Sequence, residues 1–187
     1  MTRASATGGE RSSNTIDGRQ VGLAVHLVIA ELMREGRRQP TLQELLIVAA
    51  GSALMRKRVG SYRQAARQRL LTATSVYLRY FVPGPEWRFV GSEVAVPGAR
   101  LDLVFEAVDG RVMADEIKTG RLSATEQAGF EEQIQRQLRG GGELYGTDFA
   151  GVRGLLLWAP SRSFIAHADG QRELLLEASI EGSKDAE

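Results

Sequence analysis

The chain is expected to fold as an α/β domain in which a mixed central β-sheet is flanked by helices and preceded by an N-terminal helical region. Three observations predict this. Apolar residues recur at helical spacing over residues 19–36 and in two further segments before Pro83. Three short apolar runs divided by turn residues then occupy residues 87–118. A long helical segment follows, and after it comes VRGLLLWA, which reads as a buried strand.

Taken in order, residues 1–17 form a polar leader, expected to be disordered, without the apolar stretch of a signal peptide. The first helix covers 19–36. Thr41 caps a second that runs to about Val59, and Ser61 starts a third that ends before Pro83. Ser123 caps the long helix, with Glu126 completing a capping box, and this helix should end in Gly140, Gly141 and Gly142 or just beyond. RELLLEASI reads as a last strand or helix, and residues 181–187 as a disordered tail. Residues 18–180 are therefore expected to be a single domain, with 18–82 its helical part and 86–180 its sheet core.

The strand registers can be counted. Val108-Asp109-Gly110 suits a three-residue hairpin loop with Gly110 left-handed, so Ala107 opposes Arg111, Phe105 opposes Met113 and Asp102 opposes Glu116. Lys118 follows on the same face. One face of the hairpin should then be apolar and the other charged, whereas a two-residue loop would mix them. Across Pro97-Gly98, pairing Val96 with Ala99 brings Glu93 opposite Asp102, although Pro-Gly also suits a longer or bulged connection. Asp115 falls on the apolar side and is expected at a sheet edge, outside the charged row.

Carboxylates that converge repel one another unless a cation lies between them, and hard cations such as Mg²⁺ or Mn²⁺ take oxygen ligands. A neighbouring lysine adds a point charge able to hold a phosphate oxygen or orient water. Glu93, Asp102, Glu116 and Lys118 thus form a phosphodiester-hydrolysis constellation. Glu93 reads either as a site acid or as an exposed strand residue. The chain has three lysines and one Glu-x-Lys tripeptide, and arginine does not replace a lysine point charge equivalently.

The stretch RLDLVFEAVDGRVMADEIKTG resembles the core of the PD-(D/E)XK nuclease superfamily, with Asp102 as the isolated acid and Glu116-Ile117-Lys118 as the tripeptide. EIKTG resembles the RecB-like branch, which includes the exonuclease V nuclease domain and CRISPR-adaptation nucleases. VGLAVHLVIAEL supplies Gly22-x-x-x-His26, resembling the branch's G-x-x-x-H motif. TEQAGFEEQIQRQLRGGGELYG supplies a glutamine helix resembling its Q-x-x-x-Y motif, through either Gln133 or Gln137. The fourth residue after Gln137 is Gly141, not tyrosine, and the nearby tyrosine is Tyr145. The resemblance spans roughly residues 18–160. It implies a restriction-endonuclease-like core and metal-dependent DNA cleavage, with Mg²⁺ or Mn²⁺ on His26, Asp102, Glu116 and the Ile117 carbonyl. Glu93 would assist at the metal, Lys118 would position or activate water, and Gln137 or Gln133 would contact the site or the DNA. A histidine on an apolar helix can equally be a core residue, and two glutamines can be polar positions on an amphipathic helix.

Composition sets the bounds. With no cysteine, disulfides, thiolate metal sites and the cysteine-ligated iron–sulfur cluster of several relatives are excluded. No apolar run approaches the ~20 residues of a membrane helix, and a cytoplasmic protein is expected. Net charge is +1, but residues 1–80 carry 13 Lys and Arg against 5 acids, and the remainder 11 against 18. Arg56, Lys57, Arg58, Arg63, Arg67 and Arg69 are the densest cluster, fit either to follow a DNA backbone or to form a solvated helix face. Tyr62, Tyr77 and Tyr80 border it and also fit as packing residues. A catalytically silent nucleic-acid-binding or assembly module is the alternative function. A nuclease subunit working with a helicase or ATPase partner is another, since the chain has no G-x-x-x-x-G-K-[ST] sequence. Repair, recombination and defence against foreign DNA are all open as the setting.

Overall fold

The structure is a computed structural model and describes residues 18–51 and 60–176. Three helices come first: α1 (Gly18–Arg34), α2 (Leu42–Gly51) and α3 (Gly60–Tyr80). Next come β1 (Trp87–Val96), β2 (Ala99–Ala107), β3 (Val112–Lys118), α4 (Ala124–Tyr145), β4 (Phe149–Leu156), β5 (Phe164–His167) and β6 (Arg172–Leu174). The six strands form one mixed sheet in sequential order, antiparallel except for the parallel pair β3 and β4. That pair is parallel because α4 carries the chain back along the sheet between them.

Each face of the sheet has its own core. Leu103, Phe105, Ile117, Leu155 and Leu157 pack under α1, α2 and α3. Val104, Val112, Ala114, Val152 and Leu156 pack against Phe130 and Ile134 of α4. The architecture is therefore α/β with helices on both faces. Among the described residues no helix is long and apolar enough to cross a membrane.

Both counted registers are observed. Phe105 pairs with Met113, and the Ala107 N–H donates to the Arg111 carbonyl at 2.8 Å, with Gly110 at φ 90°. Val96 pairs with Ala99 across a tight turn in which Gly98, at φ 71°, takes the positive φ that Pro97 cannot. The irregularity lies instead in β1, where a bulge falls between Phe89 and Gly91.

Three expectations are corrected. The face holding Glu116 and Lys118 is not an open charged face, because Val112 and Ala114 on it belong to the core under α4 and only its end is polar. Asp115 does face the other, apolar side, but it sits in the centre of the sheet rather than at an edge and is 0% exposed. Helix α4 ends at Tyr145, just beyond its glycines as expected. A Cβ on Gly140 would lie 2.4 Å from the Pro97 carbonyl and one on Gly141 2.3 Å from the Phe149 ring, so these glycines let the helix lie close against the sheet. The third correction is β5, an unforeseen strand that pairs with both β4 and β6. RELLLEASI begins as strand β6, while its last four residues with the tail, and the expected extension of the second helix to Val59, lie outside the described residues.

Candidate metal and phosphodiester site

The site forms where β2 and β3 separate. Their ladder runs from Glu106↔Val112 to Leu103↔Asp115, and one step further the count sets Asp102 against Glu116. There the backbone ladder gives way to a side-chain bond, and the Ile117 N–H donates to Asp102 Oδ2 at 3.0 Å. Asp102 thus fills the split between the strands and is buried.

Helix α1 brings His26 to the same point. Gly22, one turn earlier, allows the approach, since a Cβ there would stand 3.2 Å from Thr119 Oγ1. His26 Nε2 lies 3.1 Å from the Ile117 carbonyl, and Nδ1 lies 3.5 Å from Asp102 Oδ2. Only an N–H can satisfy a carbonyl, so the proton belongs on Nε2 and the Nδ1 lone pair faces the carboxylate. Burial lowers the His26 pKa, against the raising influence of the Ile117 carbonyl and the Glu116 charge, which favours this neutral form.

Glu93 reaches the same point from β1. Its φ of 57° is the only positive value among the described non-glycine residues, which makes it a strained position beside the site. His26, Glu93 and Asp102 each offer a ligand atom, and these atoms lie within 4.8 Å of one another. Arg100 Nε stands 2.5 Å from Glu93 Oε2 and is the one cation paired with that carboxylate among the described residues. Burial, and then the Glu116 charge, hold the Asp102 carboxyl well above the usual carboxylate range, against the Ile117 N–H and the Lys118 charge.

Glu116 lies outside this triad. It is 1% exposed; Lys118 Nζ donates to its Oε1 at 2.6 Å and Gln137 Nε2 to its Oε2 at 2.6 Å. Gln137 Nε2 also donates to the Arg100 carbonyl at 2.7 Å, and Lys118 Nζ also donates to Gln133 Oε1 at 3.0 Å. Both glutamines therefore touch the site, as four-residue spacing on one helix face allows. Gln137 Oε1 is buried with no partner among the described residues. Tyr145 stacks on Phe149, with ring centroids 5.9 Å apart, at the far end of α4.

The donor set suits a hard divalent cation: two carboxylates, a neutral imidazole with a bare nitrogen, and a third carboxylate alongside. A cation bound here would relieve the Glu116 and Glu93 charges that, after burial, raise the Asp102 pKa. The Ile117 carbonyl, expected on the metal, accepts from His26 and keeps a second lone pair.

Of the basic cluster, Arg56, Lys57 and Arg58 lie outside the described residues, as do the side chains of Tyr62 and Arg63. Arg67 and Arg69 are exposed on α3. Tyr77 is a core residue whose Oη donates to Asp115 Oδ2 at 2.8 Å, and Tyr80 is half exposed beside Arg79. The sequence reading missed Arg100, which precedes the Asp102 strand core by two residues with no local signal of its pairing. Comparison of the chain with known protein families, with curated proteins and with solved structures finds no match to any of them.

Proposed function

We propose that the chain is a metal-dependent DNA nuclease of the PD-(D/E)XK type, RecB-like, with a restriction-endonuclease-like core. The observation that carries this is the convergence of His26, Glu93 and Asp102 within 4.8 Å, next to a Glu116–Lys118 pair on the adjoining strand. The motif order along the chain and the β1–β2–β3–helix–β4 connection support the same reading.

His26, Glu93 and Asp102 would hold Mg²⁺ or Mn²⁺, with Glu116 and the Ile117 carbonyl in reach of the same split between strands. A divalent cation bound there supplies Lewis acidity toward the phosphodiester and lowers the pKa of a water. Asp102 and Glu93 contribute the negative charge that selects a cation. Lys118 holds a phosphate oxygen and balances the charge that develops at phosphorus, while Gln133 keeps its ammonium in place. Gln137 fixes the Glu116 carboxylate from α4 and retains an unused oxygen to accept from water or substrate.

The test is cleavage of linear, circular and single-stranded DNA by the purified protein in Mn²⁺, Mg²⁺ or EDTA, beside Lys118→Ala. Cutting that requires metal and vanishes in the variant is expected. DNA binding without cutting in both proteins would instead favour the silent module, or a subunit that needs a helicase or ATPase partner. One observation leans that way: Lys118 is closed onto Glu116 and Gln133 in this state rather than turned outward.

A further inference from the structure

The geometry points to a single-strand subsite at the end of β3 and β4, formed by Arg121, Trp158 and Arg162, in which an unpaired base of the substrate stacks next to the cleaved phosphate. This rests on the phosphodiester reading of the site and names the form of substrate it takes.

Because β3 and β4 run parallel, residues 119–123 and 157–163 leave the sheet at the same end, the end at which Lys118 stands. The Leu157 N–H donates to the Lys118 carbonyl at 2.9 Å, so Trp158 is one residue beyond that contact. Trp158 packs on the core under α4, the face that also carries Glu116 and Lys118. The chain turns there, the Ala159 N–H donating to the Leu156 carbonyl at 2.9 Å, so Trp158 stands in the turn just beyond β4, beside the end of β3 that carries Lys118.

Charge at this end is exceptional for its half of the chain. No Asp or Glu occurs between Glu116 and Glu126, or between Asp148 and Asp169, although residues 81–187 hold 18 acids against 11 bases. Arg121 and Arg162 are exposed there, and neither has a carboxylate partner among the described residues. Arg88, Arg100, Arg111 and Arg172, elsewhere on the sheet, are each paired with an acid. Two unpaired cations suit phosphates, since the Glu126 carboxylate at this end is held by the Ser123 N–H and hydroxyl rather than by either arginine.

The tryptophan supplies the second half of a single-strand site. Its Nε1 is buried with no hydrogen-bond partner among the described residues, so a purely apolar side chain would pack there at less cost. Its ring is what is used: the Arg162 guanidinium carbon lies 5.6 Å from the ring centroid. Indole and guanidinium together make a flat, polarisable surface on which a base of any identity can stack, provided it is not held in a duplex.

The chain has two tryptophans, so Trp87→Phe leaves Trp158 as the sole indole reporter. In EDTA, oligothymidylate should quench its fluorescence, whereas an abasic strand of equal length or a blunt hairpin duplex should not. Arg121→Ala with Arg162→Ala should weaken oligothymidylate binding about tenfold and flatten its salt dependence, whereas Trp158→Ala, checked as folded by circular dichroism, should weaken it about as much and leave the salt dependence unchanged. Equal binding of oligothymidylate and the abasic strand, or binding without quenching, would overturn the subsite. If the wild-type protein still cleaves single strands in that case, the nuclease reading survives it. Quenching without cleavage in any metal would sink the nuclease reading and leave the subsite standing.

Discussion

Strand β3 presents acids to both faces of the sheet, and they are treated in opposite ways. On the α3 side Asp115 accepts two bonds from Arg153, at 2.6 and 2.7 Å, and one from Tyr77 at 2.8 Å. Its negative charge is matched by one guanidinium, and both of its oxygens accept hydrogen bonds. At the split with β2, by contrast, Asp102, Glu93 and Glu116 meet with Lys118, Arg100 and a neutral histidine. There the carboxylates are close, the Asp102 pKa is pushed up, and a bare imidazole nitrogen faces an acid. A buried network whose groups are all answered acts as a fastener between α3, β3 and β4. One with three carboxylates to two cations, between α1 and α4, is a place for a further cation.

Removing a partner should therefore have contrary effects on the two sides. The largest effect is expected for Asp115→Ala, which leaves the Arg153 charge buried and alone and should cost about 3–5 kcal/mol in urea unfolding. A loss below ~1 kcal/mol would mean that the fastener is dispensable. Arg153 stays charged in the native protein because the Asp115 charge and hydrogen bonds outweigh its burial, and this substitution removes that support.

Asp102→Asn should do the reverse, stabilising the metal-free protein by about 1 kcal/mol, because a neutral amide relieves the crowding of carboxylates while its oxygen still accepts from the Ile117 N–H. The same variant should lose the rise in Tm that Mn²⁺ gives the wild type. The native Asp102 pKa is raised, so in metal-free protein its ionisation opposes folding. Stability should fall as pH climbs from the ordinary 3.8 through the raised native value, and Mn²⁺ should cancel that decline. A metal-free Tm that rises steadily through this window in the wild type but not in Asp102→Asn would contradict the assignment.

Glu93→Gly tests the third acid at smaller amplitude. Glycine takes the positive φ without strain, so stability should rise by up to about 1 kcal/mol while Mn²⁺ affinity drops. Isothermal titration with Mn²⁺ would expose the error if affinity were unchanged. The smallest effect belongs to α4, whose Ser123–Glu126 capping box is fully formed. Ser123→Ala should cost about 1 kcal/mol. Hydrogen bonds from the Ser123 backbone and hydroxyl lower the Glu126 pKa, so its contribution is present above 4.5 and lost as pH falls through the lowered native value. That is opposite in sign to Asp102, and acid titration of the Ser123→Ala variant should show it reduced, because the backbone N–H of residue 123 still donates to Glu126.

What was legible in the sequence is what local chemistry determines. The VDGR turn set the β2–β3 register, and so the neighbourhood of Asp102, Glu116 and Lys118. ADGQ makes the same turn, with the His167 N–H donating to the Gln171 carbonyl at 2.8 Å and Gly170 at φ 89°. Read in the same way, it would have revealed β5. The partner of Asp115 was not legible, because Arg153 is 38 residues away across a helical crossover. Nor was the burial of Glu116 under α4, since the tight approach at Gly140 and Gly141 looked like a helix stop. Position in the chain suggested His26, but only the Ile117 carbonyl fixes its tautomer.

Those glycines have a kinetic corollary. Three in succession make the last turns of α4 a poor helix in isolation, at about 1 kcal/mol each relative to alanine. This stretch can persist only while Val96, Pro97 and Phe149 lie against it. In amide exchange it should open together with β1 and β4 rather than with the Ser123 end of its own helix. Gln137 stands one turn before the glycines, so the Glu116 carboxylate acquires its anchor late in folding, after the strands have assembled.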